Sequence, residues 1–126
     1  MERVLGIGGL FFRARDPEAL GRWYEERLGV TAPPAEYGGA AWRQQAGTTV
    51  LAPMPDGVGP FREAGRQWML NLRVADLDAM VAQLRAAGVA VQVDPEPYPN
   101  GRFADLADPE GNPLQLWEPA GVDAEG

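Results

Sequence analysis

Few side chains in this sequence could do chemistry, because the most reactive types are missing. The chain has no Cys and no His, and its 11 basic residues are all arginines. Thiolate and imidazole catalysis and lysine Schiff bases are therefore excluded. Carboxylates, amides and guanidinium groups remain. Asp105 is the candidate general base, with a solvated strand carboxylate as the alternative, and the catalytic residues are otherwise unknown.

The charge balance excludes several classes of partner. Eighteen acidic residues against 11 arginines give a formal net charge of −7, and such a surface repels nucleic-acid phosphates. No apolar run approaches the roughly 18 residues that a membrane span needs, and MERVLGIGG at the N-terminus has no signal-peptide pattern. We therefore expect a cytoplasmic protein with neither a nucleic-acid nor a membrane partner.

An internal repeat organises the chain. Residues 9–20 (GLFFRARDPEAL) align with residues 69–80 (MLNLRVADLDAM), and the alignment places Arg13 on Arg73. Each segment then runs through a helical pattern to a Gly-Val pair. The shared order of strand, aspartate, helix and glycine indicates two copies of one structural unit.

Each copy carries the signals of one amphipathic helix. Asp16 and Asp76 are suited to cap the helix N-termini, and Pro17 suits a first helical position. Gly29 and Gly88 can adopt the left-handed conformation that ends a helix. The apolar stripes that these helices would bury are Leu20, Trp23, Tyr24 and Leu28 in the first, and Leu77, Met80, Val81, Leu84 and Ala87 in the second.

Short strands are predicted around both helices, which makes each half a βαβββ module. The predicted strands of the first half are 4–14, 30–37, 39–45 and 48–54, and those of the second half are 68–75, 89–97, 101–107 and 113–118. The turn Asp108-Pro109-Glu110-Gly111 has its residues where a type I turn prefers them. A chain of 126 residues is expected to form one domain. We place that domain at 1–120, with repeats at about 4–54 and 68–118, a linker at 55–67 and a tail at 121–126.

These segments resemble the vicinal oxygen chelate superfamily, which includes glyoxalases, bleomycin-resistance proteins and extradiol dioxygenases. The resemblance covers about residues 4–119 and rests on DPEALGRWYEERLGV, RVADLDAMVAQLRAAGV and DPEGNPLQLWEP. It implies an α+β fold in which the two modules form a cupped mixed β-sheet with the helices outside.

The resemblance also implies four positions at which enzymes of the superfamily hold a divalent metal. They fall at Gly9, at about Leu51, at Met69 and at Gln115. Glycine and leucine have no ligating side chain, and a thioether is a poor ligand for hard or borderline ions. Gln115 alone could coordinate, so we expect no metal site and no other cofactor.

Strand alternation predicts which side chains line the cup. Leu70, Leu72 and Val74 form an apolar set that should face the helix, which turns the alternate side chains inward. The expected ligand-binding residues are Phe11, Arg13, Met69, Asn71, Arg73, Gln115 and Trp117. The two arginines could clamp a carboxylate or phenolate, or pair with acids at the sheet rim. The pattern leaves open which way Trp42 and Asp105 face.

Two functions are consistent with these residues. The first is a bleomycin-resistance-like protein that has no complete metal site and binds a small organic molecule in the cup. The alternative is an enzyme of the same superfamily, either a glyoxalase-like lyase or isomerase or a metal-independent acid/base enzyme. We also expect a homodimer, because an open cup with many aromatic residues leaves apolar surface that a partner can cover.

Overall fold

The second half of the chain forms the β-sheet. The structure, a computed structural model, describes residues 1–124. Its strands are β1 (Leu70–Arg73), β2 (Gln92–Val93), β3 (Gly101–Ala107) and β4 (Pro113–Pro119), in the order β1-β4-β3-β2. β1 runs parallel to β4, and the other neighbours are antiparallel. This mixed sheet with two helices confirms the predicted α+β class.

Both predicted helices form where their caps and glycines place them. Helix α1 spans Pro17–Trp23 and continues as a π-helical turn over Tyr24–Leu28, and helix α2 spans Leu77–Ala86. The carboxylates of Asp16 and Asp76 each accept a hydrogen bond from the backbone N–H three residues on, at 3.1 and 3.0 Å. Within residues 1–124, no helix has the length and apolar character of a membrane span.

The helices pack on one face of the sheet and form the core there. Their predicted stripes are buried or half-buried, except Ala87, which is exposed at the end of α2. From the sheet, the alternate residues of β3 and β4 complete this core. The buried set is Leu20, Tyr24, Leu77, Val81, Leu84, Ala104, Leu106, Leu114 and Leu116.

Two carboxylates, one at each end of β4, hold the helices on the sheet. Near the end of β4, Glu118 Oε1 accepts from the backbone N–H of Leu77 at 2.8 Å. In the turn before β4, Glu110 accepts from the backbone N–H groups of Arg15 and Asp16 at 2.7 and 3.0 Å. These two N–H bonds lower the pKa of Glu110. The N-terminus of α2 is thereby bound to β4, and the N-terminus of α1 to the turn that precedes β4.

A buried carboxylate organises the turn between β3 and β4. Asp108 accepts from the backbone N–H groups of Glu110 and Asn112, at 2.9 and 3.0 Å, and from the Asn112 amide at 2.7 Å. The Tyr24 hydroxyl donates a fourth bond to it, at 2.7 Å. Asp108 thus closes the predicted turn and binds it to the first helix.

The first half differs from the prediction outside its helix. The segments 4–14, 30–37, 39–45 and 48–54 contain no strand, and no described segment forms a β-ladder with them. A strand requires a neighbour for its N–H and C=O groups, so their apolar alternation alone does not make a sheet. Alternation still governs local packing: Phe12 lies edge-to-face on Tyr24, whereas Phe11 is 97% exposed.

The ends of the modules remain a prediction. In the second half, β1 and β2 are shorter than the predicted strands 68–75 and 89–97, whereas β3 spans the predicted 101–107. The linker holds a short 3-10 turn at Gly59–Arg62. The predicted tail 121–126 begins with a 3-10 turn at Gly121–Ala124, and its last two residues lie outside the described part of the chain.

Candidate functional site

The face of the sheet opposite the helices carries most of the candidate side chains. Leu72, Leu116 and Ala104 are paired across β1, β4 and β3 and pack toward the helices. Because side chains alternate along a strand, the neighbouring positions point the other way. We call these the cup face: Asn71, Arg73, Phe103, Asp105, Gln115 and Trp117.

A row of polar side chains crosses the cup face. Asn71, Gln115 and Asp105 are paired in register across β1, β4 and β3. Asn71 Nδ2 donates to Gln115 Oε1 at 2.8 Å, and Gln115 Nε2 approaches Asp105 Oδ1 at 3.4 Å. We call these three residues the polar row. The row thus connects Asn71 and Gln115, which were both predicted to bind the ligand, with Asp105, the candidate general base.

Asp105 faces the cup, which answers the question that the sequence pattern left open. Desolvation of the carboxylate beside the sheet raises the pKa of Asp105, the bond from Gln115 lowers it, and the nearby carboxylate of Asp94 raises it again. The net direction is upward. A carboxyl group with a raised pKa is better suited to exchange a proton near neutral pH than an ordinary aspartate.

Aromatic rings lie beside the polar row. Phe103 and Trp117 stack in parallel with centroids 6.1 Å apart, and Tyr98 meets Phe103 edge-on at 5.9 Å. Trp117 is only 4% exposed, and its Nε1 donates to the Asn100 carbonyl at 2.9 Å. Trp117 therefore supports the ring beside it, and half-buried Phe103 supplies aromatic surface.

The two repeat-equivalent arginines have different surroundings. Arg73 is half-buried, and its Nη2 donates to the Gln45 carbonyl at 2.6 Å. Gly47 passes so close that an added Cβ would overlap the Arg73 guanidinium. Arg13, in contrast, is exposed in the segment before α1. The structure thus gives Arg73 a backbone partner on the cup face and gives Arg13 no comparable enclosure.

Two other predicted residues, Phe11 and Met69, lie outside the sheet, as does Trp42, whose orientation the sequence pattern left open. Met69 is half-buried just before β1, and Phe11 and Trp42 are exposed in the first half. Sequence reasoning missed Phe103 and Tyr98. The signal for Phe103 was available, because buried Ala104 and its alternation along β3 turn Phe103 and Asp105 to the same face.

The side chains at the positions implied for a metal do not fit one. Gly9 offers no donor, and Leu51 is an 83% exposed aliphatic side chain. Of the remaining two, Met69 has only a thioether, and the Gln115 oxygen already accepts from Asn71. Within the described residues, no three His, Cys, Asp or Glu side chains are grouped so that they could hold an ion. The four side chains therefore do not make up a metal site.

A shallow depression of about 410 Å³ lies on the helix side of the molecule, between α1 and the β3–β4 turn. Arg15, Trp23 and Glu110 contribute to its lining, and Arg15 is paired with Glu110 at 3.6 Å. The residues of the cup face do not take part in it. It is therefore separate from the polar row.

A protein family matches most of this chain. A family model described as "Glyoxalase-like domain" matches residues 9–117. No curated protein matches the chain. A glyoxalase/bleomycin resistance protein from Streptomyces sp. CB03234 is 41% identical, with a TM-score of 0.37. The similarity covers 42% of this chain and only 46% of that protein.

Two solved structures are similar over most of the chain. TnmS3, an antibiotic binding protein from Streptomyces sp. CB03234, is 27% identical, with 83% of this chain and 88% of that chain covered and a TM-score of 0.50. A protein from Bacillus anthracis described as a glyoxalase family member is 18% identical, with coverages of 80% and 83% and a TM-score of 0.52. The second similarity concerns the fold alone.

Proposed function

Because the chain belongs to the glyoxalase-like domain family of the vicinal oxygen chelate superfamily, we propose that it binds a small organic molecule on the cup face, without a complete metal site. The observation that carries this proposal is the polar row beside Phe103. Ligand sites in proteins are mostly apolar or aromatic surfaces with a few convergent polar groups. The row supplies those polar groups, and Phe103 supplies a ring surface.

The donor set at the family's metal positions supports binding rather than metal chemistry. Gln115 is the only one of the four side chains with an oxygen or nitrogen donor. A metal site normally needs three or four protein ligands, and one neutral amide falls far short. TnmS3, the antibiotic binding protein at 27% identity, supports a binding function in the same family.

A thermal-shift screen tests the proposal. A panel of planar aromatic compounds and, separately, Mn²⁺, Ni²⁺ and Zn²⁺ are added to the purified protein. A ligand at a hundred times its Kd stabilises the native state by about 2.7 kcal/mol, which raises Tm by roughly 10 °C for a chain of this size. We expect such shifts from organic compounds and none from the metals. Metal-dependent shifts with no organic hit would refute the proposal.

A matched pair of glutamine variants locates the site. Gln115→Ala removes the middle of the polar row, whereas Gln83→Ala changes an exposed residue of α2. The first should weaken any hit at least about tenfold through the lost hydrogen bonds, and the second should bind like the wild type. Equal binding by both variants would place the ligand elsewhere.

The raised pKa of Asp105 favours one second candidate, a metal-independent enzyme that transfers a proton. In that case a bound compound is converted, and NMR of the compound after incubation detects the product. Asp105→Asn should then stop the conversion while binding persists. A hit that stays chemically unchanged favours the binding protein.

We also propose that the protein is a homodimer. Large apolar side chains in the first half, among them Leu5, Phe11 and Leu51, are more than 80% exposed in a single chain. A second copy could cover them, since exposed apolar patches commonly mark interfaces. Light scattering should give twice the single-chain mass of 13.6 kDa. A monomer mass at tens of micromolar would contradict the proposal.

A further inference from the structure

The hydrogen bonds of the polar row all run in one direction, from Asn71 to Asp105, and one residue sets that direction. An ionised carboxylate can only accept hydrogen bonds, whereas an amide has a donor end and an acceptor end. Facing Asp105, Gln115 must therefore present Nε2, which leaves its Oε1 for Asn71. Asn71 in turn must donate with Nδ2. Its own carbonyl oxygen, Oδ1, then stays free as an acceptor, next to the second N–H of the same amide.

From this geometry we propose that Asp105 orients both amides of the polar row. The two ends of the row then offer hydrogen-bond acceptors, and the cup face selects ligands that present hydrogen-bond donors. The ligand class is a planar aromatic molecule with hydroxyl or amino groups along one edge. This inference rests on the proposed function and makes it more specific.

The two ends of the row are accessible. Asn71 and Asp105 are exposed, whereas Gln115 between them is half-buried. Among the described residues, no group donates to Asp105 Oδ2 or to Asn71 Oδ1 at hydrogen-bond distance. A ligand edge that crosses the row therefore meets an acceptor at each end and, in the middle, an amide whose oxygen and one N–H are already engaged.

The charged groups around the row agree with this direction. On the β2 side, Asp94 is a further acceptor and receives a bond from the Tyr98 hydroxyl at 2.8 Å. On the β1 side, the Arg73 guanidinium is turned to the Gln45 carbonyl. An anionic ligand edge would face carboxylates near β3. A ligand edge with hydroxyl or amino donors would instead be stabilised by these carboxylates.

The first experiment tests the row in the free protein. Side-chain amide signals of Asn71 and Gln115 are recorded by NMR in the wild type, Asp105→Asn and Asp105→Leu. Strand β4 separates residue 105 from Asn71, so a shift of the Asn71 amide signal in Asp105→Leu reports the reoriented row. Asp105→Asn keeps an acceptor oxygen for Gln115 and should shift the Asn71 signal less. Asp94→Asn, a neighbouring loss of charge, serves as the control and should leave Asn71 unchanged. An Asn71 signal that does not move in Asp105→Leu overturns the proposal.

The second experiment tests the selection of donors with three matched probes: a dihydroxynaphthalene, its dimethyl ether and a naphthalene dicarboxylate. The diol should bind the wild type at least about tenfold more tightly than either of the others, the range expected for a hydrogen bond to a charged group. Asp105→Leu should remove most of that preference, and Asp94→Asn should keep it.

The outcomes separate this inference from the proposed function. Equal or tighter binding of the ether or the dicarboxylate overturns the selection of donors, although the protein still binds an organic molecule. If no probe binds, the proposed function fails for planar aromatic ligands, and the selection of donors fails with it. The NMR comparison then shows whether Asp105 still orients the row.

Discussion

Tyr24→Phe removes one oxygen from the interior and tests how the first helix is bound to the sheet. The Tyr24 hydroxyl donates to buried Asp108 at 2.7 Å, and the two residues are 8% and 4% exposed. The phenyl ring stays in place, so the substitution opens almost no cavity. The change isolates the bond from the packing.

The size of the effect follows from the type of bond. Hydrogen bonds to charged groups contribute about 1.5–3 kcal/mol, and a buried acceptor that loses a donor stays partly unsatisfied. We expect the free energy of unfolding to fall by that amount, and Tm by roughly 6–12 °C for a chain of this size. Asp108 keeps its three other donors, so the turn itself should survive.

Urea denaturation at pH 7 measures the effect, with Tyr37→Phe as the matched control. Tyr37 is fully exposed, so its variant should lie within about 0.5 kcal/mol of the wild type. The m-value should not change, because both variants expose the same surface on unfolding. If Tyr24→Phe is as stable as the Tyr37 control, the bond to Asp108 does not stabilise the fold, and the prediction is refuted.

The pH dependence gives an independent check. Burial raises the pKa of Tyr24 above its ordinary value of 10.0, and the bond to Asp108 raises it further. The folded state therefore favours the neutral phenol, and its contribution is complete below pH 10 and is lost as the pH rises above that value. Phenylalanine does not ionise. The stability difference between the wild type and Tyr24→Phe should shrink above about pH 10.

Three further predictions concern the backbone and the helix caps. Glu110→Gln should destabilise the protein at pH 7. Because the pKa of Glu110 is lowered in the folded state, the difference in unfolding free energy from the wild type should disappear as the pH falls below about 4. An acid-unfolding series measures this. Gly101→Ala should destabilise the protein by more than about 1 kcal/mol, since Gly101 has φ +136° and an added Cβ would overlap the Glu118 carbonyl. The control, Gly21→Ala, lies in α1 with open space around it and should stabilise the protein slightly in the same urea assay. Asp76→Ala should cost about 1 kcal/mol, measured by thermal unfolding, because the N-terminus of α2 loses its cap.

Local signals in the sequence determined the helices and the turn. Asp16 and Asp76 cap α1 and α2, and Gly29 and Gly88 follow with φ of +74° and +83°. These signals act over a few residues, through side chain to backbone bonds and helical periodicity, so no tertiary contact is needed to recognise them. The family resemblance was also predicted from the order of these segments, and the family match over residues 9–117 confirms it.

Only the tertiary structure decided which distant side chains meet, both on the cup face and between α1 and the β3–β4 turn. Asn71 and Gln115 are 44 residues apart in sequence, and Tyr24 and Asp108 are 84 apart. Their contacts depend on the parallel pairing of β1 with β4 and on the packing of α1 against the turn. The same dependence explains the first half: its segments have the alternation of strands, but strands form only where neighbouring backbone groups complete the hydrogen bonds.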